Sequence, residues 1–325
     1  MALLNRISAN RRCATITIAT LCRDRPPPSK GFADAGRIRA RRDRARAAVA
    51  RRPAGRQAAP PPRVGNLDDR DPDAVRELLP GLWLLISAWY RPDIRGLHHI
   101  PAQGPALIVG NHTGGIMSPE VLISQLAITA YFGVERQFYQ LAHRMVLNSP
   151  LAPILRRFGT VEADPDNGNA VLAGGGLLQV FPGGDHEVYR PTSQASLIDF
   201  AGRKGFLRLA LKHDVPIVPQ VTIGGQETAL FLSRGDKLAE LLHLDRVLRL
   251  KVLPIVLSAP FGFTLPFAPF LPLPAKIVVQ YLPPIDLRAR FGEHPDLDEV
   301  YTTVVGEMQD VLTALAAERK VPVIG

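Results

Sequence analysis

The chain has 325 residues, 46% of them hydrophobic, with a formal net charge of +9. A core is easily supplied at that length, in one large domain or two smaller ones. The basicity does not mark a polyanion-binding domain: residues 1–63 hold fifteen Arg and one Lys against three Asp, a net of +13, leaving −4 for the other 262. Both cysteines, Cys13 and Cys22, lie in that stretch. This excludes a disulfide framework and a cysteine-based metal site from the remainder and fits a reducing compartment.

The basic stretch lacks the continuous apolar core of a secretory signal. Its Arg-rich, acid-poor composition is that of an organellar transit peptide, but no amphipathic apolar face accompanies it. Disorder, or a start codon upstream of the true one, is the preferred reading. The absence of aromatic interleaving and of a recognition fold argues against nucleic acid as a partner. AAPPPRVGN at 58–66 reads as a linker. The expected organisation is therefore a tail and linker over 1–66 and one domain over 67–325.

DPDAVRELLPGLWLLISAWYR follows, with an apolar run over 78–90. Thirteen residues fall short of the roughly 20 a membrane span needs, and Pro80 and Gly81 interrupt the run. Trp83, Trp89 and Tyr90 suit a membrane interface, or a helix lying on the domain's own core. The chain then alternates. PALIVGN (105–111) predicts a strand. PEVLISQLAITAYF (119–132) predicts a helix, with Ser118 as N-cap and Pro119 at its first position. FGTVEA (158–163) and LLQVFPGG (177–184) predict strands, the second running into a turn. RKGFLRLALKHD (203–214) predicts an amphipathic helix. VPIVPQVTIGG (215–225) predicts a strand whose Pro219 calls for an edge or a bulge. KIVVQYL (276–282) predicts the last strand, and the 3.6-residue spacing of Val300, Val304, Met308, Val311, Leu312 and Leu315 a final helix. Between these, VLPIVLSAPFGFTLPFAPFLPLPA (252–275) carries six prolines and no charge. It reads as an irregular apolar loop that lines a greasy pocket or rests on a bilayer.

Strand–helix alternation implies an α/β domain with a mixed, mostly parallel sheet flanked by helices, and a ligand crevice at the carboxyl ends of its strands. GNHTGG (110–115) and FPGG (181–184) both lie at predicted strand ends, so both are expected to face that crevice. His112 has the titration range of a general base. Gly114 and Gly115 let backbone N–H groups approach a ligand or an oxyanion closely. Pro-Gly-Gly is a turn signature on any scaffold, but its place at a strand end makes Gly183 and Gly184 candidates for an active-site wall.

WYRPDIRGLHHIPAQGPALIVGNHTGG, FPGGDHEVYRP, GRKGFLRLALKHDVPIVPQVTIGGQE and LPLPAKIVVQYLPPIDL, in that order over residues 89–287, resemble the sequence blocks of the glycerolipid acyltransferase superfamily. That superfamily includes the lysophosphatidic acid and diacylglycerol-acyltransferase-like branches, and the second block here takes the FPGG rather than the FPEG form. The resemblance implies acyl transfer to a lipid hydroxyl from a thioester co-substrate, acyl-CoA or acyl carrier protein. No other cofactor and no metal is implied. His112 would be the base. Asn111, Gly114, Gly115, Phe181, Pro182, Gly183, Gly184, Arg190 and Lys204 would contact substrate, and the protein would be cytoplasmic and peripheral to the membrane.

The chain departs from the family pattern twice. Four residues after His112, where the family usually has Asp, stands Met117. Glu120 is the nearest acid downstream, open to two roles: orienting the imidazole, or complementing the dipole of the helix it begins. Asp185 and Glu187 are held in reserve. Secondly, no Arg follows Gly159 in the block where phosphate-accepting members carry one, which tilts the reading toward a less charged acceptor. Alternatives are an acyl thioesterase or lipid esterase in the same pocket, and a catalytically weak lipid-binding protein.

Overall fold

The computed structural model describes residues 66–243, 253–258, 260, 262–264 and 271–321. The basic tail and part of the proline-rich segment lie outside the described residues. Ten strands are β1 (Asp93–Arg95), β2 (Ala106–Gly110), β3 (Phe138–Ala142), β4 (Thr160–Glu162), β5 (Leu177–Val180), β6 (Ile217–Ile223), β7 (Leu230–Ser233), β8 (Ile255–Ser258), β9 (Gly262–Thr264) and β10 (Val278–Tyr281). The helices of nine residues or more are α1 (Pro72–Tyr90), α2 (Pro119–Phe132), α3 (Pro165–Ala173), α4 (Gly205–His213) and α5 (Leu297–Glu318).

Seven strands form one sheet in the order β1-β10-β6-β2-β5-β3-β4. β2 to β6 run parallel, while β10 is antiparallel to β6 and carries β1 with it. The α/β, mostly parallel expectation is met. Alternate residues of the central strands feed two cores, which is why these strands read as unbroken apolar runs. Leu107, Val109, Leu178, Ile217 and Val221 pack with Leu207 of α4 and with Val300, Val304 and Met308 of α5. Ala106, Ile108, Leu177 and Val218 pack with Trp83 and Ile86 of α1 and Ile123 and Leu126 of α2. α1 therefore rests on the domain's core, continuous through Pro80, while Leu84 and Leu85 on its other side are exposed.

Three sequence expectations are corrected. β6 is a central strand despite Pro219. Ile217 bonds Ile285 on the β10 side, and Pro219, two residues on, faces the same way. Its carbonyl accepts from Leu282, beyond the end of β10, so the missing N–H falls where the β10 pairing has ended and not on the β2 side. Ser118 does not cap α2 with its side chain: it sits in the left-handed region and its hydroxyl donates to Gly115 O at 2.7 Å. Finally, the described part of 252–275 is not irregular throughout. β8 pairs antiparallel with both β7 and β9 in a separate three-stranded sheet. Its inner face buries Phe231 and Val256 against Val188 and Tyr189.

Candidate active site

β2 ends at Gly110, and the next side chain extends its ladder. Asn111 is fully buried; its Nδ2 donates to Thr222 O at 2.9 Å and its Oδ1 accepts Thr222 N at 2.7 Å. The side-chain amide thus takes the place of one more peptide group against β6. Asn111 is scaffold, not the substrate contact expected of it. His112 follows at the carboxyl end of the strand, where the crevice of a parallel sheet opens.

Two glycines then reverse the chain. Gly114 and Gly115 have φ of 77° and 61°, the left-handed region where only glycine is unstrained. A Cβ on Gly114 would sit 2.6 Å from Pro119 Cδ, and one on Gly115 2.7 Å from the Phe231 ring. The reversal brings Glu120, at the second position of α2, against His112. Glu120 Oε1 lies 2.5 Å from His112 Nδ1 and accepts Thr113 N at 3.0 Å; Oε2 accepts Thr113 Oγ1 at 2.9 Å. Glu120 is fully buried, while the His112 side chain keeps 18% exposure. A carboxylate acceptor fixes the proton on Nδ1 and leaves the Nε2 lone pair for chemistry. Of the two roles open to Glu120, the geometry is that of an orienting acid.

Phe181 of FPGG stacks on the His112 ring, with centroids 4.8 Å apart and planes at 25°. The strand end and the FPGG turn do meet. Arg203 holds that turn, donating to the carbonyls of Pro182 at 3.0 Å and Gly183 at 2.8 Å and pairing with Asp185 at 2.9 Å. Gly184 turns with φ of 49° under the Arg203 guanidinium. Asp185 is thereby removed as a partner for the imidazole. Glu187 approaches His112 too, but at its backbone: Oε2 accepts His112 N at 2.8 Å.

Arg190 is 2% exposed and points inward, donating to the carbonyls of His112 at 2.6 Å, Glu187 at 3.1 Å and Ala195 at 3.2 Å. Those contacts turn it away from the substrate contact expected of it. Lys204 pairs with Asp298 at the start of α5. Burial pushes the Glu187 carboxyl up to about 8, against the opposing pull of Arg190 and of two backbone N–H groups. Burial likewise lowers the Arg190 guanidinium, which Glu187 opposes. Gln226 was not singled out from sequence. Its Oε1 accepts Gly114 N at 2.7 Å, so that N–H is not available for an oxyanion. The contact spans 112 residues, and no local pattern signals it. Among the described residues there is no cluster of His, Cys, Asp or Glu that would hold a metal.

Residues 91–223 match the family model described as Acyltransferase. That segment is similar to the acyltransferase family. An uncharacterized protein of Mycobacterium tuberculosis is 29% identical over 246 residues, 74% of this chain and 66% of that one. The chain thus spans just under two thirds of the length of that relative. The bovine (Bos taurus) DGAT1/2-independent enzyme synthesizing storage lipids is 28% identical over 152 residues, 46% of this chain and 44% of that protein. The crystal structure of the 1-acyl-sn-glycerophosphate (LPA) acyltransferase PlsC of Thermotoga maritima aligns at a TM-score of 0.45 with 15% identity, covering 76% of this chain and 80% of that one.

Proposed function

We propose that this chain transfers an acyl group from a thioester, acyl-CoA or acyl carrier protein, to the hydroxyl of a lipid alcohol, with His112 as general base. The observation that carries the reading is the His112–Glu120 dyad at the carboxyl end of β2, within the residues that match the family. His112 Nε2 takes the acceptor's hydroxyl proton as the oxygen attacks the thioester carbonyl. Glu120 stabilises the imidazolium that forms. The C–S bond of the tetrahedral intermediate breaks, and Nε2–H returns its proton to the leaving thiolate.

Arg190 is taken up by carbonyls and Lys204 by Asp298. This favours an acceptor without a phosphate, such as a mono- or diacylglycerol. The name of the bovine relative, an enzyme synthesizing storage lipids, leans the same way.

The reading includes peripheral association with a bilayer. No helix among the described residues is long and apolar enough to cross a membrane. The outer face of the three-stranded sheet presents Leu230, Leu232, Ile255, Leu257 and Phe263, with Phe263 73% exposed. Leu257 is the cross-strand neighbour of both Leu230 and Phe263. A contiguous apolar face of this kind suits a lipid surface. Flotation with phosphatidylcholine vesicles tests it, and unchanged binding of a Leu257→Asp/Phe263→Ser variant would count against this face.

The activity is tested by thiol release from a panel of acyl-CoAs, with and without lipid alcohols, beside His112→Ala. Acceptor- and His112-dependent release supports the transferase. Release without an acceptor moves the reading to a thioesterase.

A further inference from the structure

We infer that Glu187 and Arg190 are positioning residues for the His112 base, and that position 183 is glycine because Glu187 must pass over it. This inference rests on the acyl-transfer reading above.

The two side chains grip the backbone on either side of the His112 Cα. Glu187 Oε2 accepts the His112 N–H at 2.8 Å, and Arg190 Nη1 donates to the His112 carbonyl at 2.6 Å. Each bond fixes one of the two peptide planes that meet at that Cα. Together they restrain both backbone dihedrals of the residue carrying the imidazole. Glu120 restrains the ring itself. The grip comes from one turn of chain, since residues three apart project to the same side.

Both gripping groups are buried, Glu187 to 1% and Arg190 to 2% exposure, so neither presents itself to a substrate. They lie 3.6 Å apart, and Glu187 Oε1 also accepts Asp199 N at 3.3 Å. A buried carboxyl–guanidinium pair is a poor device for stability alone, because desolvation offsets most of the attraction. What it supplies here is a donor and an acceptor at fixed separation, matched to one peptide unit's C=O and its neighbour's N–H.

Gly183 makes the reach possible. A Cβ there would lie 2.3 Å from Glu187 Oε2 and 2.5 Å from Glu187 Cβ. The backbone of Gly183 is in the ordinary right-handed helical region, with φ of −62°. Conformational freedom therefore does not explain this glycine; the absence of a side chain under Glu187 does.

Three variants of the full chain test the inference: Gly183→Ala, Glu187→Gln, and the double variant Glu187→Gln/Arg190→Gln. The double variant is included because it removes the buried guanidinium together with the carboxyl. Displacing a base by about 1 Å costs on the order of 100-fold in turnover. We expect kcat to fall about 10- to 100-fold in Gly183→Ala and in the double variant, with each KM within about twofold of wild type and no further loss in a His112→Ala background. Amide exchange over residues 110–116 should quicken in the same variants, while α5 keeps its protection. Folded variants with wild-type kcat, or with unchanged exchange at 110–116, overturn the inference. So does failure of all three to fold, which makes the pair a support of the fold. A wild type that transfers no acyl group fails the functional reading instead, and the exchange experiment still decides the grip.

Discussion

Glu120→Gln separates the charge of Glu120 from its geometry. Oε1 of Glu120 makes two of its three bonds, to His112 Nδ1 at 2.5 Å and Thr113 N at 3.0 Å. A glutamine oxygen accepts both. The third bond, from the Thr113 hydroxyl at 2.9 Å, reverses: the hydroxyl rotates to accept from the glutamine amide. Shape, tautomer and satisfaction are kept, and only the negative charge is lost. A neutral in place of a charge-assisted hydrogen bond is worth about 1 kcal/mol. The full attraction of a carboxylate for an imidazolium some 4 Å away is about 4 kcal/mol at an effective dielectric of 20. These bounds give a loss in kcat of about 5- to 1,000-fold at 1.36 kcal/mol per decade. Thermal stability should not fall, since a buried charge has been removed. The assay is acceptor-dependent thiol release from acyl-CoA, followed with a chromogenic thiol reagent beside a thermal melt. A Glu120→Gln enzyme within twofold of wild-type kcat would refute the orienting-acid reasoning.

His112→Ala should lower turnover by about 100- to 10,000-fold and leave the melting temperature near wild type, measured by the same assay and by calorimetry. Asn111→Ala leaves the N–H and C=O of Thr222 without these partners in the core, a loss of roughly 2–6 kcal/mol at about 1–3 kcal/mol per group, to be read from urea denaturation. Gly115→Ala places a Cβ 2.7 Å from Phe231 at φ of 61°. Strain of about 1–3 kcal/mol should appear as a lowered melting temperature together with lost activity. Stability should fall as pH rises from about 5 toward 8. The Glu187 carboxyl, raised to about 8 when folded, holds its proton in the native state over a range where the unfolded chain has released it. Its contribution is complete below the ordinary carboxylate range and is lost as pH passes the folded value. Glu187→Gln should flatten that slope in pH-dependent melts, and an unaltered slope would assign it to other groups. The grip on His112 survives either protonation state, because a carboxyl oxygen accepts the N–H in both.

Strands and helices were legible where their periods were clean. PALIVGN and PEVLISQLAITAYF gave β2 and α2 nearly to the residue. His112 was legible as a candidate because it follows a strand and closely precedes two glycines. Its partner was only half legible, since Ser-Pro-Glu begins a helix whatever the glutamate touches. The tertiary contacts were opaque. Asn111 and Arg190 have the chemistry of ligand contacts, but their partners are backbone groups brought in by β6 and by the turn after FPGG. Pro219 misled because a rule about edge strands was applied to a strand whose ladder stops on one side only at that point. The three-stranded sheet was hidden because its prolines mask the strands and its outward face is as apolar as its inward one.

The His112 loop is held by Glu187, Arg190 and Gln226, which lie 75, 78 and 112 residues away along the chain. Closing loops of that length is entropically unfavourable and slow. The Gln226 contact forms only once the segment up to the end of β6 has docked. In refolding, catalytic competence should therefore appear with the last long-range pairings, after the local helices have regained their signal. Truncation before Gln226 should yield a chain with helical content and no turnover, so activity in this protein reports the completed sheet.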